Sequence, residues 1–296
     1  MNKPKVTVGV CVRNCAATLR EAIESLIRQD YDHKSMEVIF VDDGSEDETL
    51  SVIHTFARIM DMKVRVFQHK WKGLGYTRNV VVANAQGDFI LWVDGDMVLS
   101  KDYVREMVKY IEQHPEVGIA KGKQALESGE NMLATLETFS RVAGRMVDYA
   151  SKKAGVKSLG TGGSIYKAEA IGKVGGFDEN ITGYGEDFDA EYRIRKAGWL
   201  LSTVDVQFRD YERGKILWKD LWCRYWKRGY DTRRFWHKRK ALVKPYKMLP
   251  PASFFVGLLH SRKIYRLTTR KVTFLLPFQY VFKMSAWCLG FVEGRV

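Results

Sequence analysis

Short apolar runs alternate with longer segments of helical periodicity along the first half of the chain. The runs predicted to be strands are Val6–Val12, Glu37–Val41, Lys63–Phe67 and Asp88–Val93. The segments predicted to be helices are Thr18–Gln29, Asp47–Met60, Leu74–Ala85 and Lys101–Gln113. Thr18 and Glu21 have the spacing of a capping box. Strands that alternate with helices of this length predict an α/β fold with a mainly parallel sheet.

The pattern continues less regularly in the second half. We predict a long helix over Met132–Ala150, a turn of small residues over Leu159–Gly163 and a helix over Asp187–Lys196. The composition changes after Trp199–Val204, where Trp218, Trp222 and Trp226 recur every four residues among basic residues. Such a helix either lies in a membrane interface or packs its aromatic face into a protein core.

Two apolar stretches follow, Met248–Leu259 and Val272–Val292. The second has about the 20 residues that a membrane span needs. However, it carries Lys283 near its centre, which costs roughly 3 kcal/mol in a bilayer, and it is interrupted by Pro277. We therefore rank an interfacial or re-entrant segment first, a spanning helix second and a soluble core helix third. The predicted domains are a catalytic domain over 1–206, a basic amphipathic helical region over 207–247 and a hydrophobic membrane-associating tail over 248–296.

Charge strengthens the membrane prediction. The 296 residues carry a net charge of +13, and the segment 207–247 alone contains 14 Lys or Arg against 4 Asp or Glu. An anionic membrane, nucleic acid or a phosphorylated substrate would each complement that segment. The four cysteines lack the paired spacing of a zinc site, which favours reduced thiols. The first residues do not resemble a signal peptide, so we expect the catalytic part to face the cytosol.

The most informative polar residues follow predicted strands, where α/β sheets bind their ligands. Asp94 and Asp96 stand two residues apart at the end of one strand and could converge on a magnesium or manganese ion. Asp42 and Asp43 end another strand. They either accept hydrogen bonds from a nucleobase or ribose, or cap the helix that begins at Asp47.

Two further segments open predicted helices. Gly73 and Gly75 precede Arg78, which could pair with a phosphate at the helix N-terminus. Neither a dinucleotide fingerprint nor a P-loop occurs. The second segment contains Glu186, Asp187 and Asp189, where a carboxylate could deprotonate an acceptor hydroxyl. The alternative, compensation of the helix dipole, accounts for one acid better than for three.

Taken together, these motifs resemble family 2 glycosyltransferases of the GT-A fold, over roughly residues 5–205. The matching pieces are Val10 to Asn14, Val41 to Ser45, Arg78-Asn79, Ala83 to Asp88, Asp94 to Asp96, Gly175 to Glu179 and Gly185 to Asp187. The resemblance implies an inverting single displacement with a nucleotide-diphosphate sugar as donor and Mn²⁺ or Mg²⁺ as cofactor.

Residue roles also follow from the resemblance. It places Val10, Asn14, Asp42, Asp43, Arg78 and Asp94 at the nucleotide, Asp94 and Asp96 at the metal, Gly162 and Gly163 at the donor sugar, Asp187 as the base and Glu186 at the acceptor. Arg13 replaces the aromatic residue that usually precedes the asparagine. The Gln-x-x-Arg-Trp motif of processive synthases is absent from the sequence, so we do not expect chain formation.

These arguments predict a transferase that moves a sugar to a membrane-proximal, lipid-linked glycan acceptor at the cytoplasmic membrane face. A polyprenyl-phosphate sugar synthase is the second choice. An alternative from another class is a basic module that binds nucleic acid or anionic lipid and carries an inactive sheet domain. Because all the strand-end carboxylates are intact, we favour the enzyme and expect no nucleic-acid partner.

Overall fold

The computed structural model describes residues 3–145, 158–210, 216–238, 240 and 243–294. Within these residues one sheet contains the strands β1 (Val6–Val12), β2 (Met36–Asp43), β3 (Lys63–His69), β4 (Phe89–Trp92), β5 (Met97–Leu99), β6 (Val117–Gln124), β7 (Ser164–Lys167) and β8 (Leu200–Asp210). The order across the sheet is β3-β2-β1-β4-β7-β6-β8-β5. The four predicted N-terminal strands are neighbours and run parallel. The predicted α/β class is therefore confirmed.

The rest of the sheet is mixed. Strand β7 is antiparallel to β4 and β6, and β5 is antiparallel to β8, whereas β6 and β8 are parallel. Strands β5, β6, β7 and β8 were not predicted. Because the carboxyl ends of β1, β2 and β4 lie at one edge of the sheet, the acidic turns that follow β2 and β4 emerge at that edge.

The helices of the described residues are α1 (Ala16–Ile27), α2 (Thr49–Ala57), α3 (Leu74–Asn84), α4 (Tyr103–Gln113), α5 (Met132–Arg145), α6 (Ala168–Lys173), α7 (Glu186–Lys196), α8 (Trp218–Lys238), α9 (Pro250–Thr268) and α10 (Leu276–Glu293). Helices α1 to α5 and α7 follow the predictions to within a few residues at most described ends, whereas α6 was not predicted. The last five residues of the helix predicted over Met132–Ala150 lie outside the described residues.

The predicted capping box at α1 is wrong. The helix begins after Cys15, which places Thr18 inside the first turn, where its hydroxyl donates to the carbonyl groups of Cys15 and Gly95. The first amide of the helix instead donates to the carboxylate of Asp47, which also accepts from the amide and hydroxyl of Thr49. The cap of α1 is thus supplied by another loop, which local sequence spacing does not reveal.

The chain divides into two compact units. The sheet unit comprises Met1–Gln124, Asp148–Thr182 and Glu186–Tyr211, and the helical unit comprises Ala125–Val147, Gly183–Gly185 and Glu212–Val296. This division differs from the predicted boundary at residue 206, because β8 continues to Asp210 and because α5 belongs to the helical unit.

Alternating strand residues and the inner faces of α1, α2 and α4 form the core of the sheet unit, which contains Val8, Phe40, Leu91 and Tyr103. These side chains are fully buried. A continuous apolar core of this kind fixes the register of the strands. It therefore also fixes where the polar turns at their carboxyl ends emerge.

In the helical unit, α8 and α10 cross at Gly229 and Gly290. A Cβ at either glycine would overlap the backbone of the other helix, so the two backbones touch. Trp218 and Trp222 pack edge-on against Phe282 of α10, with ring centroids 4.8 and 5.1 Å apart. Part of the tryptophan face of α8 thus packs against α10, while Trp218 is still 45% exposed.

The predicted apolar tail contains α9 and α10. Within the described residues one segment, Lys271–Glu293, is long and apolar enough to cross a bilayer, with a mean hydropathy of 1.2. Lys283, however, is buried inside the helical unit, where it forms an ion pair with Glu137 of α5 at 2.9 Å. Its ammonium group also donates to the hydroxyl of Ser140 at 2.7 Å. Protein groups therefore neutralise the charge that interrupts the apolar stretch.

Candidate active site

The turn after β4 carries the predicted metal ligands. Asp94 and Asp96 are half-buried there, separated by the buried Gly95. Gly162 approaches from the loop before β7, and a Cβ at this glycine would overlap the carboxylate of Asp94. The neighbouring Gly163 has a φ of +74° and donates its amide to the carbonyl of Trp92 at 2.8 Å. Of the two predicted donor-sugar glycines, Gly162 thus lies directly beside Asp94.

The residues present fit a hard divalent cation. Two aspartates in a tight turn supply oxygen donors of the kind that such a cation prefers. The described residues contain no group of three or more His, Cys, Asp or Glu that could hold a metal. A Mg²⁺ or Mn²⁺ ion at this turn would be held by Asp94 and Asp96.

Asp42 and Asp43 are hydrogen-bonded within the protein. Asp42 accepts from the amide of Ser45 at 3.2 Å and from its hydroxyl group. Asp43 accepts from the amides of Lys72 and Gly73 at 2.7 and 3.1 Å, which ties the loop before α3 to the end of β2. Neither aspartate caps α2. The predicted contacts of both with a nucleotide stay predictions.

Asn14 ties the loop after β1 to the turn after β2. Its backbone amide donates to the hydroxyl of Ser45 at 2.9 Å, and its side-chain oxygen accepts from the backbone amide of Glu46 at 2.8 Å. The residue has a φ of +49°, which asparagine tolerates better than most residues. Val10 is buried in the core of the sheet, so a contact with the nucleotide would involve its backbone.

Arg78 is buried in α3 and forms an ion pair with Glu186, the first residue of α7. Its guanidinium group also lies 5.5 Å from the ring centroid of Phe177. Burial, together with the neighbouring charge of Asp187, raises the pKa of Glu186 to about 7 in spite of Arg78. The predicted pairing of Arg78 with phosphate stays a prediction, and it would compete with this ion pair.

The structure separates the three acids at the start of α7. Glu186 pairs with Arg78, whereas the buried Asp189 pairs with Arg193 at 2.7 Å. Asp187 differs, because one of its oxygens lies 3.6 Å from the position that a Cβ would take on Gly160. The loop that approaches Asp94 at Gly162 therefore also lies near Asp187 at Gly160. This arrangement favours Asp187 over Asp189 as the base.

Two buried charged residues beside this loop were missed by the sequence analysis. Glu191 of α7 accepts from the amides of Leu159 and Gly160, and Lys121 of β6 donates to the carbonyl groups of the same two residues. Both side chains are almost fully buried. A lysine within the run Val117–Gln124 is the signal that could have identified one of them, had the strand been recognised.

Comparison with known proteins identifies the family of the chain. The model of glycosyl transferase family 2 matches residues 7–174. The poly(ribitol-phosphate) beta-N-acetylglucosaminyltransferase TarS of Staphylococcus aureus is 32% identical over 110 residues, which are 37% of this chain and 19% of that protein. The poly-beta-1,6-N-acetyl-D-glucosamine synthase of Staphylococcus epidermidis is 22% identical over 227 residues, 71% of this chain and 54% of that protein.

Solved structures show the same fold. The mannosyltransferase PcManGT from Pyrobaculum calidifontis, in complex with GDP-Man and Mn²⁺, has a TM-score of 0.68 at 17% identity and covers 100% of this chain and 89% of its own. The crystal structure of Staphylococcus aureus TarS has a TM-score of 0.57 at 18% identity, over 98% of this chain and 55% of its own. The fold is GT-A, and the chain belongs to glycosyl transferase family 2.

Proposed function

We propose that this chain is an inverting transferase that moves a sugar from a nucleotide-diphosphate donor to a lipid-linked glycan acceptor at the cytoplasmic membrane face. The observation that carries the chemistry is the convergence of Asp94 and Asp187 on one short loop, through Gly162 and Gly160. This arrangement supports roles for Asp94 at the nucleotide and metal and for Asp187 as the base, with the donor sugar near Gly162 and Gly163.

The reaction is a single displacement. Asp187 takes the proton of the acceptor hydroxyl while the oxygen of that hydroxyl forms a bond to the anomeric carbon. The bond from that carbon to the diphosphate breaks, and the diphosphate leaves with the electron pair on the opposite face, which inverts the configuration. A divalent metal at Asp94 and Asp96 supplies charge neutralisation for the diphosphate when it is bound. Glu186, held by Arg78, helps to orient the acceptor hydroxyl.

The comparisons support a nucleotide sugar without choosing one. Structures of TarS include complexes with UDP and with UDP-GlcNAc, whereas PcManGT was solved with GDP-Man. Tests of this chain should therefore include both uridine and guanosine donors. The matched segments cover only part of the curated relatives, so the donor and acceptor of those proteins are starting points for the assay.

Exposed apolar residues support the membrane location. Phe255 and Leu259 of α9 and Phe278 of α10 are each more than 60% exposed, while Lys283 on the inner side of α10 is buried. The basic residues Arg262, Lys263, Arg266, Arg270 and Lys271 are also exposed. Each would add about 1 kcal/mol of attraction to an anionic membrane. These features favour a peripheral or monotopic attachment over a spanning helix.

The function can be tested with labelled nucleotide sugars, Mn²⁺ and an undecaprenyl-linked glycan acceptor, with and without a chelator. We expect chelator-sensitive transfer that Asp187→Asn lowers by roughly 10²- to 10⁴-fold, with little change in donor affinity because a base acts only in the chemical step. Asp189→Asn is the matched control and should retain turnover. If Asp189→Asn is inactive and Asp187→Asn is active, the base is misassigned. If a chelator does not reduce transfer by the wild type, the proposed requirement for a divalent metal is wrong.

A further inference from the structure

The loop over 158–163 needs partners for its backbone. It precedes β7, and Gly160 and Gly163 within it have positive φ angles of 73° and 74°. Its residues from Leu159 to Gly163 are buried or half-buried, so polar backbone groups that lack a partner there would cost free energy. Side chains from three other elements supply part of what the loop needs.

Glu191 holds the amide side of the loop. Its two oxygens separately accept from the amide of Leu159 at 2.9 Å and from the amide of Gly160 at 2.7 Å. The carboxylate thus bridges two successive peptide groups. Since Glu191 lies four residues after Asp187 on α7, one helical turn connects the predicted base with this anchor.

Lys121 holds the carbonyl side of the same two residues. Its ammonium group donates to the carbonyl of Leu159 at 2.7 Å and to that of Gly160 at 3.2 Å. Tyr103 of α4 adds a further anchor, since its hydroxyl donates to the carbonyl of Gly163. The loop is therefore held at both ends by fully buried side chains.

We propose that Lys121 and Glu191 are positioning residues that fix the 158–163 loop, and with it the separation of Asp94 from Asp187, for the transfer reaction. The inference rests on the proposed function. Gly162 contacts Asp94 and Gly160 lies beside Asp187, so a shift of this loop moves the donor-sugar position relative to both carboxylates.

The choice of residue types supports this role. Burying an ammonium group and a carboxylate is costly unless each is well hydrogen-bonded. An apolar pair at these positions would avoid that cost, but it would leave two amides and two carbonyl groups of the loop with fewer partners. Charged side chains, which form the stronger hydrogen bonds, hold the backbone in one position.

The test compares Lys121→Met and Glu191→Gln with the wild type in donor affinity and turnover. Because a misplacement of about 1 Å in an active site costs roughly 10²-fold in rate, we expect kcat to fall by roughly that factor. The dissociation constant for the nucleoside diphosphate with Mn²⁺ should change by less than about threefold, since the loop contacts the sugar position and not the base. Lys121→Arg keeps the donors and should recover at least about tenfold of the lost rate.

Two variants serve as controls for the loss of a charge. Glu37→Gln removes a buried carboxylate that accepts from Thr7, Arg65 and the amide of Gln86 near the starts of the strands. Lys123→Met removes an exposed lysine of β6. Both should retain wild-type kcat, although Glu37→Gln lowers the melting temperature.

The outcomes separate the inference from the proposed function. If Lys121→Met and Glu191→Gln keep kcat within about threefold of the wild type, or lose nucleotide affinity in parallel with kcat, the positioning role is overturned. If the wild type itself transfers no sugar, the proposed function fails instead. Amide exchange at Leu159 and Gly160 then decides the inference: faster exchange in Glu191→Gln supports it, and unchanged exchange refutes it.

Discussion

Replacing Lys283 with methionine removes the positive charge from the buried ion pair of the helical unit. Glu137 would remain, fully buried, with Arg141 at 3.5 Å, the hydroxyl group of Tyr225 at 3.1 Å and the side-chain amide of Gln279 at 3.2 Å among its remaining partners. Burial alone would raise the pKa of Glu137, but the charges of Lys283 and Arg141 outweigh it and lower the pKa from 4.5 to about 2. Lys283 therefore compensates much of the cost of burying this carboxylate.

The magnitude follows from linkage. A pKa difference between 4.5 and about 2 corresponds to about 3 kcal/mol at neutral pH, since each pKa unit is worth 1.36 kcal/mol. Losing one partner of a buried pair costs about 3 to 5 kcal/mol. Because Glu137 keeps other partners, we expect Lys283→Met to lower the free energy of unfolding by about 3 kcal/mol at pH 7. Since the pKa of Glu137 is depressed, this contribution is present above pH 4.5 and is lost as the pH falls towards 2.

Urea unfolding followed by tryptophan fluorescence measures the loss, since Trp218 and Trp222 lie against Phe282 on the same helix as Lys283. The double variant Lys283→Met with Glu137→Met should recover most of the stability, because an apolar pair carries no uncompensated charge. If the single variant loses less than about 1 kcal/mol, or the double variant is no more stable than the single one, the ion pair does not stabilise the unit as argued.

Three further outcomes are expected. Asp96→Ala should abolish Mn²⁺-dependent nucleotide binding in a thermal-shift assay, whereas Asp88→Ala, at the other end of β4, should leave it unchanged. Burial and the charge of Asp187 raise the pKa of Glu191 to about 7. The free energy of unfolding of the wild type, relative to that of Glu191→Gln, should therefore fall as the pH rises from 4.5 to 7. A difference between the two proteins that does not change with pH would contradict this. Leu259→Glu with Phe278→Glu should reduce flotation with anionic liposomes, and equal flotation would refute the membrane surface.

The first half of the fold could be predicted because its signals are local. Apolar runs and helical spacing located β1 to β4 and α1 to α4 within a few residues at most ends, and the acidic turn with Asp94 and Asp96 marked the end of β4. The sheet partners β5, β6, β7 and β8 were missed, and β5 and β7, with three and four residues, are too short to show a periodic pattern. Their positions depend on pairings with residues far away in the sequence.

Individual charged residues were harder to interpret than motifs. A lysine at position 283 makes a membrane span over the apolar stretch unfavourable, and this much can be inferred from the sequence. Its contact with Glu137, which only the structure shows, identifies the side of α10 that faces the protein. The spacing of Trp218, Trp222 and Trp226 was equally consistent with an interface and a core, and the structure adds that Trp218 and Trp222 contact Phe282 of α10. Periodicity identifies a face of a helix, but the partner of that face is set by tertiary structure.

The two sets of buried charges differ in what they bond, and this difference predicts how each can be replaced. In the helical unit, Glu137 and Lys283 bond mainly to each other and to neighbouring side chains. An apolar pair of similar volume can therefore replace them together at little cost. Lys121 and Glu191 bond to the backbone of the 158–163 loop, and replacing both would leave peptide groups without their partners. Exchanging these two for apolar residues together should therefore cost more than exchanging the other pair, although both pairs are equally buried.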